Sequence, residues 1–160
     1  MEEIDHTLMQ ELSTSLTSCD DNEMRLKIEE IERKMVASPD LVIFTPTVRE
    51  YFAPGIYARE MSAPAGSYIT GKIHKFENFN IVSKGSMEVL IDGKMELIKA
   101  PFAVVSPPGT KRIAHFLEDT VWTTMHGTHE TDPVKIEAEF IAQDNAEYLA
   151  FKAKLVEIGG

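Results

Sequence analysis

The sequence predicts a small all-β barrel with helices at both ends. Short segments of alternating apolar and polar residues follow one another from residue 41 onward, and Gly and Pro residues separate them. Helical spacing of apolar residues is clearest in residues 22–37 and in the last thirty residues. With 160 residues and 43% hydrophobic content, the chain is large enough for one buried core.

The composition excludes some classes of function and partner. The formal net charge of −10 argues against general nucleic-acid binding, which needs a basic surface to neutralise phosphates. Cys19 is the single cysteine, so an internal disulfide cannot form. The sequence shows neither a signal peptide nor an apolar run long enough to span a membrane, and we expect a cytoplasmic protein.

Residues 1–40 are predicted to form a polar tail and one amphipathic helix. Residues 1–12 form a weak helical pattern, residues 13–21 resemble a linker, and Asp21 is the candidate N-cap of a helix that ends at Ser38 and Pro39. One helical stripe holds the apolar residues Met24, Ile28, Ile31 and Met35. This stripe packs on the barrel or forms a dimer contact, and packing on the protein's own core is the commoner case.

The next segments have the lengths and boundaries of strands. Residues 42–45 and 56–61 are predicted strands, and Pro46, Pro54 and Gly55 mark a connection between them. Residues 67–75 alternate as one strand, which would place Tyr68, Thr70, Lys72 and His74 on a common face.

The second half of the predicted barrel contains two hairpin signals. Asp92-Gly93 between alternating segments predicts a tight hairpin that joins residues 86–91 to residues 94–99. Residues 78–83 and 102–105 are further strands, and residues 112–117 and 120–126 are predicted to pair through a turn at Glu118-Asp119.

The last thirty residues are predicted to be helical. Asp132-Pro133 is a helix start, because a capping residue precedes a proline at the first helical position. Ile136, Phe140 and Ile141 form its apolar edge, and Asp144 is positioned to cap a second helix.

Two groups of residues resemble the motifs of the cupin superfamily. The frame of the first cupin motif is matched by Gly66, Lys72, His74, Asn78 and Gly85. The frame of the second is matched by Pro107, Gly109 and Arg112. The resemblance covers roughly residues 56–140. It is to short single-domain cupin-type proteins of tailed phages and bacteria. If the protein is encoded by a phage, the expected compartment is the cytoplasm of the host cell.

The resemblance implies a mainly β fold, a cupin-type double-stranded β-helix or jelly-roll barrel with one N-terminal helix and one or two C-terminal helices. We divide the chain into residues 1–40 (tail and helix), 41–130 (barrel) and 131–160 (C-terminal helices). A homodimer is also expected from the resemblance, and an exposed sheet edge needs a cover.

The four cupin metal-ligand positions hold Lys72, His74, Asn78 and Arg112 here. Lysine and arginine are cationic and would repel a metal ion, so a cofactor is not expected. The same residues predict a cationic pocket for a small anionic metabolite or nucleotide, with Tyr68, Thr70, Asn80 and Trp122 as walls. A binding function without catalysis is the favoured hypothesis; alternatively, Lys72 and Arg112 pair with Glu77 or Glu88 and serve stability only.

Two other functions remain open from the sequence. A metal-dependent isomerase or dioxygenase would need His74 together with His115 and Glu77, although Glu77 has the opposite strand parity to His74. A structural or interaction jelly-roll protein of a phage would fill its barrel with side chains. His126 and His129 have the spacing of a metal-binding loop, but the end of an exposed strand is the simpler interpretation.

Overall fold

A computed structural model describes Thr14 and residues 20–37, 44–91 and 93–159. The strands are, in chain order, β1 (Thr47–Ala53), β2 (Ile56–Ala63), β3 (Tyr68–Thr70), β4 (Ile73–His74), β5 (Asn78–Lys84), β6 (Ser86–Ile91), β7 (Lys94–Lys99), β8 (Phe102–Ser106), β9 (Ile113–Phe116), β10 (Thr120–His126) and β11 (Ile141–Ala142). The helices are α1 (Asp21–Ala37), α2 (Pro133–Phe140) and α3 (Asn145–Gly159). The predicted mainly β fold with helices at both ends is confirmed.

Two antiparallel sheets form the barrel. The first has the order β1-β2-β10-β5-β8, and the second has the order β3-β9-β6-β7. Strands β4 and β11 form a separate short pair. Between the two sheets lies a core of buried apolar side chains from both: Met61, Ala63, Val82, Met87, Val89, Ile98, Ala114 and Phe116. The turn spacing predicts an all-β barrel, and this arrangement is the jelly-roll form that the resemblance implies.

The first strand differs from its prediction. Phe44 and Thr45 have no regular structure, and the predicted connection contains β1, which pairs with β2 along its whole length from Thr47↔Ser62 to Ala53↔Ile56. Gly55 has a φ of +78°, so Pro54 and Gly55 close a hairpin rather than interrupt a loop. The β-branched and aromatic residues Thr47, Val48, Tyr51 and Phe52 are the strand signal that the prediction missed.

The predicted final hairpin is wrong. Strand β9 pairs with β3 and β6, whereas β10 pairs with β2 and β5, so the turn at Glu118-Asp119 carries the chain from one sheet to the other. A turn signal between two strands does not distinguish a hairpin from such a crossing. The predicted hairpin at Asp92-Gly93 is confirmed by the register Ile91↔Lys94 and a Gly93 φ of +73°, while Asp92 itself lies outside the described residues.

Helix α1 covers the second sheet. Its Ile28 is fully buried with Leu90 and Ile113, and Met24 and Ile31 pack around them, so the stripe contacts the protein's own core. The N-cap is Asp20 rather than Asp21, because the Asp20 carboxylate accepts a hydrogen bond of 2.8 Å from the Glu23 amide.

Helices α2 and α3 begin where the sequence predicts. The Asp132 carboxylate accepts from the Val134 amide at 3.0 Å, and the Asp144 carboxylate accepts from the Glu147 amide at 2.8 Å. Ile141 belongs to β11 instead of the helix, where its backbone pairs with His74. The predictions for residues 1–12, Cys19, Ser38 and Pro39 lie outside the described residues.

Gly109 lies in the loop before β9 and packs directly against the Tyr148 ring of α3. Its φ is +80°, and an added Cβ would lie 2.5 Å from the Tyr148 ring. Gly109→Ala is expected to lower the free energy of unfolding by about 3 kcal/mol, combining left-handed backbone strain with a steric overlap. Chemical denaturation measures the change.

Gly66→Ala is the matched control for this prediction. Gly66 has a nearly identical φ of +77°, but nothing lies within 4 Å of an added Cβ. The expected cost is about 1–2 kcal/mol, from backbone strain alone. Equal costs for the two variants would show that the Tyr148 contact does not constrain this loop.

Candidate functional site

A cavity of about 360 Å³ lies between the two sheets, at the end of the barrel next to α2. Six of the seven predicted binding residues line it: Lys72, His74, Asn78, Asn80, Arg112 and Trp122. Thr70 lines it as well. The structure therefore brings together the residues that stand at both cupin motif frames.

The predicted continuous strand over residues 67–75 is interrupted at Gly71 and Lys72. Before the interruption Ile69 packs on the core, and after it His74 lines the cavity while Ile73 is buried against Ala142 and Tyr148. Ile69 and His74 are five positions apart, so the two could not share a face of an unbroken strand. The interruption reverses the parity and turns His74 inward.

Tyr68 is the predicted wall residue that lies elsewhere. Its ring stacks on His115 at a centroid distance of 4.3 Å, on the face of the second sheet that α1 covers. The common face predicted for Tyr68 and His74 is therefore wrong, because the interruption lies between them.

The alternative metal set of His74, His115 and Glu77 is not brought together. His115 does not line the cavity. Its Nδ1 lies 3.7 Å from the Glu88 carboxylate instead. Glu77 is exposed and does not line the cavity. The opposite strand parity expected for Glu77 agrees with this position.

Several cavity residues escaped the sequence analysis. Arg59 lies on β2 between Tyr57 and Met61, and His126 lies on β10 two residues beyond Thr124. Arg59 shares a strand face with the buried Met61, and His126 shares one with Trp122. This parity was the sequence signal that could have placed both residues in the cavity. The interpretation of His126 as an exposed strand end is wrong, because the residue is only 6% exposed.

A network of hydrogen bonds forms one wall of the cavity, and Asn80 is its centre. The Asn80 side-chain oxygen accepts from the Trp122 indole at 3.0 Å and from the Thr124 hydroxyl at 2.8 Å. Its amide nitrogen donates to the Asn78 side chain at 2.7 Å and to the Ser106 hydroxyl at 3.0 Å. Asn78 and Asn80 thus serve mainly to hold this wall in place.

Three cations and two carboxylates line the cavity. Arg112 donates to the Ser106 hydroxyl at 3.0 Å, and half-exposed Lys72 pairs with Glu137 of α2. Glu50 faces Arg59 across the β1–β2 pair and accepts a hydrogen bond of 2.7 Å from the Tyr57 hydroxyl. The alternative partners Glu77 and Glu88 do not pair with Lys72 in this structure.

His74 and His126 form a hydrogen-bonded pair inside the cavity. His74 Nδ1 lies 3.1 Å from His126 Nε2, and the Phe140 ring packs against His126 at a centroid distance of 4.4 Å. Burial lowers the pKa of His126 to about 4. Burial, then His126 and the cations Lys72, Arg59 and Arg112, lower the pKa of His74 to about 3. Both rings are therefore neutral at neutral pH.

The residues at the cupin ligand positions do not fit a divalent metal. Two of the four positions hold cations, and cationic side chains have no lone pair to offer a metal ion. Across the parts of the chain that the structure describes, His, Cys, Asp and Glu side chains do not gather in a group of three that could hold one. What the cavity offers instead is cationic groups, neutral imidazoles and an aromatic wall.

The buried histidine pair predicts a pH dependence of stability. The unfolded rings titrate near pH 6.5, so the unfolded chain binds more protons than the folded one below that pH. The contribution of the two histidines to the free energy of unfolding is therefore fully present above about pH 6.5. It is expected to fall as the pH drops toward 4, by at most about 1.4 kcal/mol per pH unit for each histidine. Urea denaturation across this pH range measures the slope.

His74→Gln tests the assignment of that slope, since it removes one buried titrating ring. The slope between pH 4 and 6 is expected to fall by about half, as one of two contributing groups is lost. An unchanged slope in this variant would show that the pair does not control the acid sensitivity.

Comparisons with known proteins give similarities of fold. No protein-family model matches the sequence, and a search of curated proteins finds no match. KdgF from Halomonas sp. is similar over 54% of this chain and 80% of its own, with 19% identity and a TM-score of 0.44. The Clostridium difficile EutQ protein is similar over 54% and 70%, with 12% identity and a TM-score of 0.44.

A third similar structure is the cupin domain of an XRE family transcriptional regulator from Enterobacter cloacae. The similarity covers 54% of this chain and all of that domain, with 13% identity and a TM-score of 0.45. None of the helices in the described residues has both the length and the apolar character of a membrane span. The structure is a double-sheet jelly-roll β-barrel, and the glycine and proline frame of the sequence resembles that of the cupins.

Proposed function

We propose that this protein binds a small organic anion in the cavity, without catalysing a reaction on it. One observation carries the proposal: Arg59, Lys72 and Arg112 line a single cavity in a chain whose formal net charge is −10. A local excess of positive charge in an acidic protein concentrates anions at that place.

The titration of His74 supports a positive potential inside the cavity. After burial, the groups that lower the pKa of His74 are His126 and the three cations, and no carboxylate is among the causes. A charge that disfavours an added proton at His74 favours an added anion at the same position. The carboxylates Glu50 and Glu137 therefore cancel the cations only in part.

The same histidines are poor candidates for proton transfer. A general base works best when its pKa lies near the working pH, whereas His74 and His126 titrate near 3 and 4. Neutral imidazoles with such low basicity are suited to hydrogen bonding with a ligand. This chemistry supports binding over an acid–base reaction.

Glu137 is a competitor for the ligand. Its carboxylate pairs with Lys72, and this hydrogen bond lowers the pKa of Glu137 below its ordinary value, so Glu137 is ionised at neutral pH. A bound anion would have to share Lys72 with Glu137. Removing this negative charge should therefore strengthen anion binding.

The first binding prediction concerns Glu137→Gln. Affinity for the tightest binder among acetate, benzoate, inorganic phosphate and AMP is expected to rise about fivefold, because one like charge near the ligand is removed. Isothermal titration calorimetry at low salt measures it. Glu139→Gln, on the exposed face of the same helix, makes the same change in net charge and should leave affinity unchanged.

The second binding prediction concerns Arg112→Gln. Affinity for the same anion is expected to fall at least about tenfold, since a charge-assisted hydrogen bond is lost. Lys94→Gln on β7 is the charge-matched control, because Lys94 is exposed and does not line the cavity. Thermal unfolding verifies that both variants are folded. Failure of every anion to bind the unaltered protein would contradict the proposed function.

A further inference from the structure

The size of the cavity limits the ligand. Its volume of about 360 Å³ lies near the lower end of the roughly 300–1,000 Å³ of small-molecule pockets. A single ring with a short acidic substituent suits this volume, whereas a nucleotide must place a base, a sugar and a phosphate in it.

The charge of the cavity favours a monoanion. Three cations and two carboxylates line it, and the His74–His126 pair is neutral at neutral pH. The formal excess is therefore one positive charge. A monoanion balances it, whereas a phosphate dianion would leave an uncompensated negative charge beside Glu50 and Glu137, which is costly in a partly buried site.

The walls favour an apolar body over a hydroxyl-rich one. Asn80 already bonds with Asn78, Ser106, Trp122 and Thr124, so this polar wall is satisfied without a ligand. The remaining lining residues include apolar and aromatic side chains from both sheets and from α2: Met61, Ile69, Ala114, Trp122, Ile136 and Phe140. A sugar-like ligand would leave its hydroxyl groups against these surfaces without partners.

We propose that the ligand is a small monocarboxylate with an apolar, ring-bearing body. Its carboxylate lies beside Arg112, whose planar guanidinium matches a carboxylate, and Lys72 adds a second positive charge. Its ring lies against Trp122 and Phe140 and excludes water from the histidine pair. This inference rests on the proposed function and adds the chemical class of the ligand to it.

A panel of matched probes tests the class. Benzoate and phenylacetate carry both the ring and the charge, acetate carries the charge alone, and benzamide carries the ring alone. Calorimetric titration at neutral pH is expected to show benzoate or phenylacetate binding at least about tenfold tighter than acetate or benzamide, because ring burial and the charged hydrogen bonds both contribute. Inorganic phosphate and AMP are expected to bind more weakly than either aromatic acid.

Two variants separate the contributions of charge and ring. Arg112→Gln should reduce benzoate affinity and leave benzamide affinity unchanged. Phe140→Leu should reduce the preference for benzoate over acetate. Phe79→Leu is the control, because Phe79 is 40% exposed and does not line the cavity.

Each outcome of the panel decides the inference. Tighter binding of phosphate or AMP than of the aromatic acids would overturn the ligand class and leave the anion-binding function standing. Equal affinities for benzoate and acetate would also overturn it, since the apolar wall would then contribute nothing. A panel in which no anion binds would overturn the ligand class together with the proposed function.

Discussion

The candidate site depends on a contact between two loops, where the Gly71 amide donates a hydrogen bond of 2.8 Å to the Arg112 carbonyl. This contact lies at the interruption between β3 and β4, so it accompanies the reversal of strand parity that turns His74 inward. It also fixes the backbone of Lys72 next to that of Arg112. Lys72 and Arg112 are forty positions apart in the sequence, and this one backbone hydrogen bond places both beside the same cavity.

Helix α1 stabilises this contact from outside the barrel. Buried Lys111 donates to the Gly71 carbonyl at 3.0 Å and pairs with Glu32 of α1 at 2.8 Å. Buried Arg25 of α1 donates to the Gly109 carbonyl at 3.0 Å and to Asn145 of α3 at 2.6 Å. A buried cation is tolerated only with good partners, and each of these two has them. Arg25 and Glu32 of α1 thus connect the helix to the loops that carry the site.

The sequence predicted the barrel, the tight hairpin and the helix starts at Asp132 and Asp144, because these depend on local spacing. Six of the seven residues that it proposed for ligand binding line one cavity, because the motif frame places them. It failed where tertiary contacts decide. Tyr68 was misplaced because an interrupted strand looks continuous in the alternation of side chains. The pairing of β9 with β10 was wrong because sheet assignment is not encoded in a turn. His126 was judged from its neighbours in the loop, although its parity with Trp122 was the better guide.

The cavity combines cations with histidines that remain uncharged, and the two features have one electrostatic origin. Both imidazoles are buried, and His74 also lies near the three cations, so protonation of His74 would add a further charge to a site that already holds an excess. The pair avoids this cost by remaining neutral and bonding internally, although His126 Nδ1 has no partner among the described residues. The positive charge of the site is thus carried by Arg59, Lys72 and Arg112. An anion is the one kind of guest that lowers the electrostatic energy of all three at once.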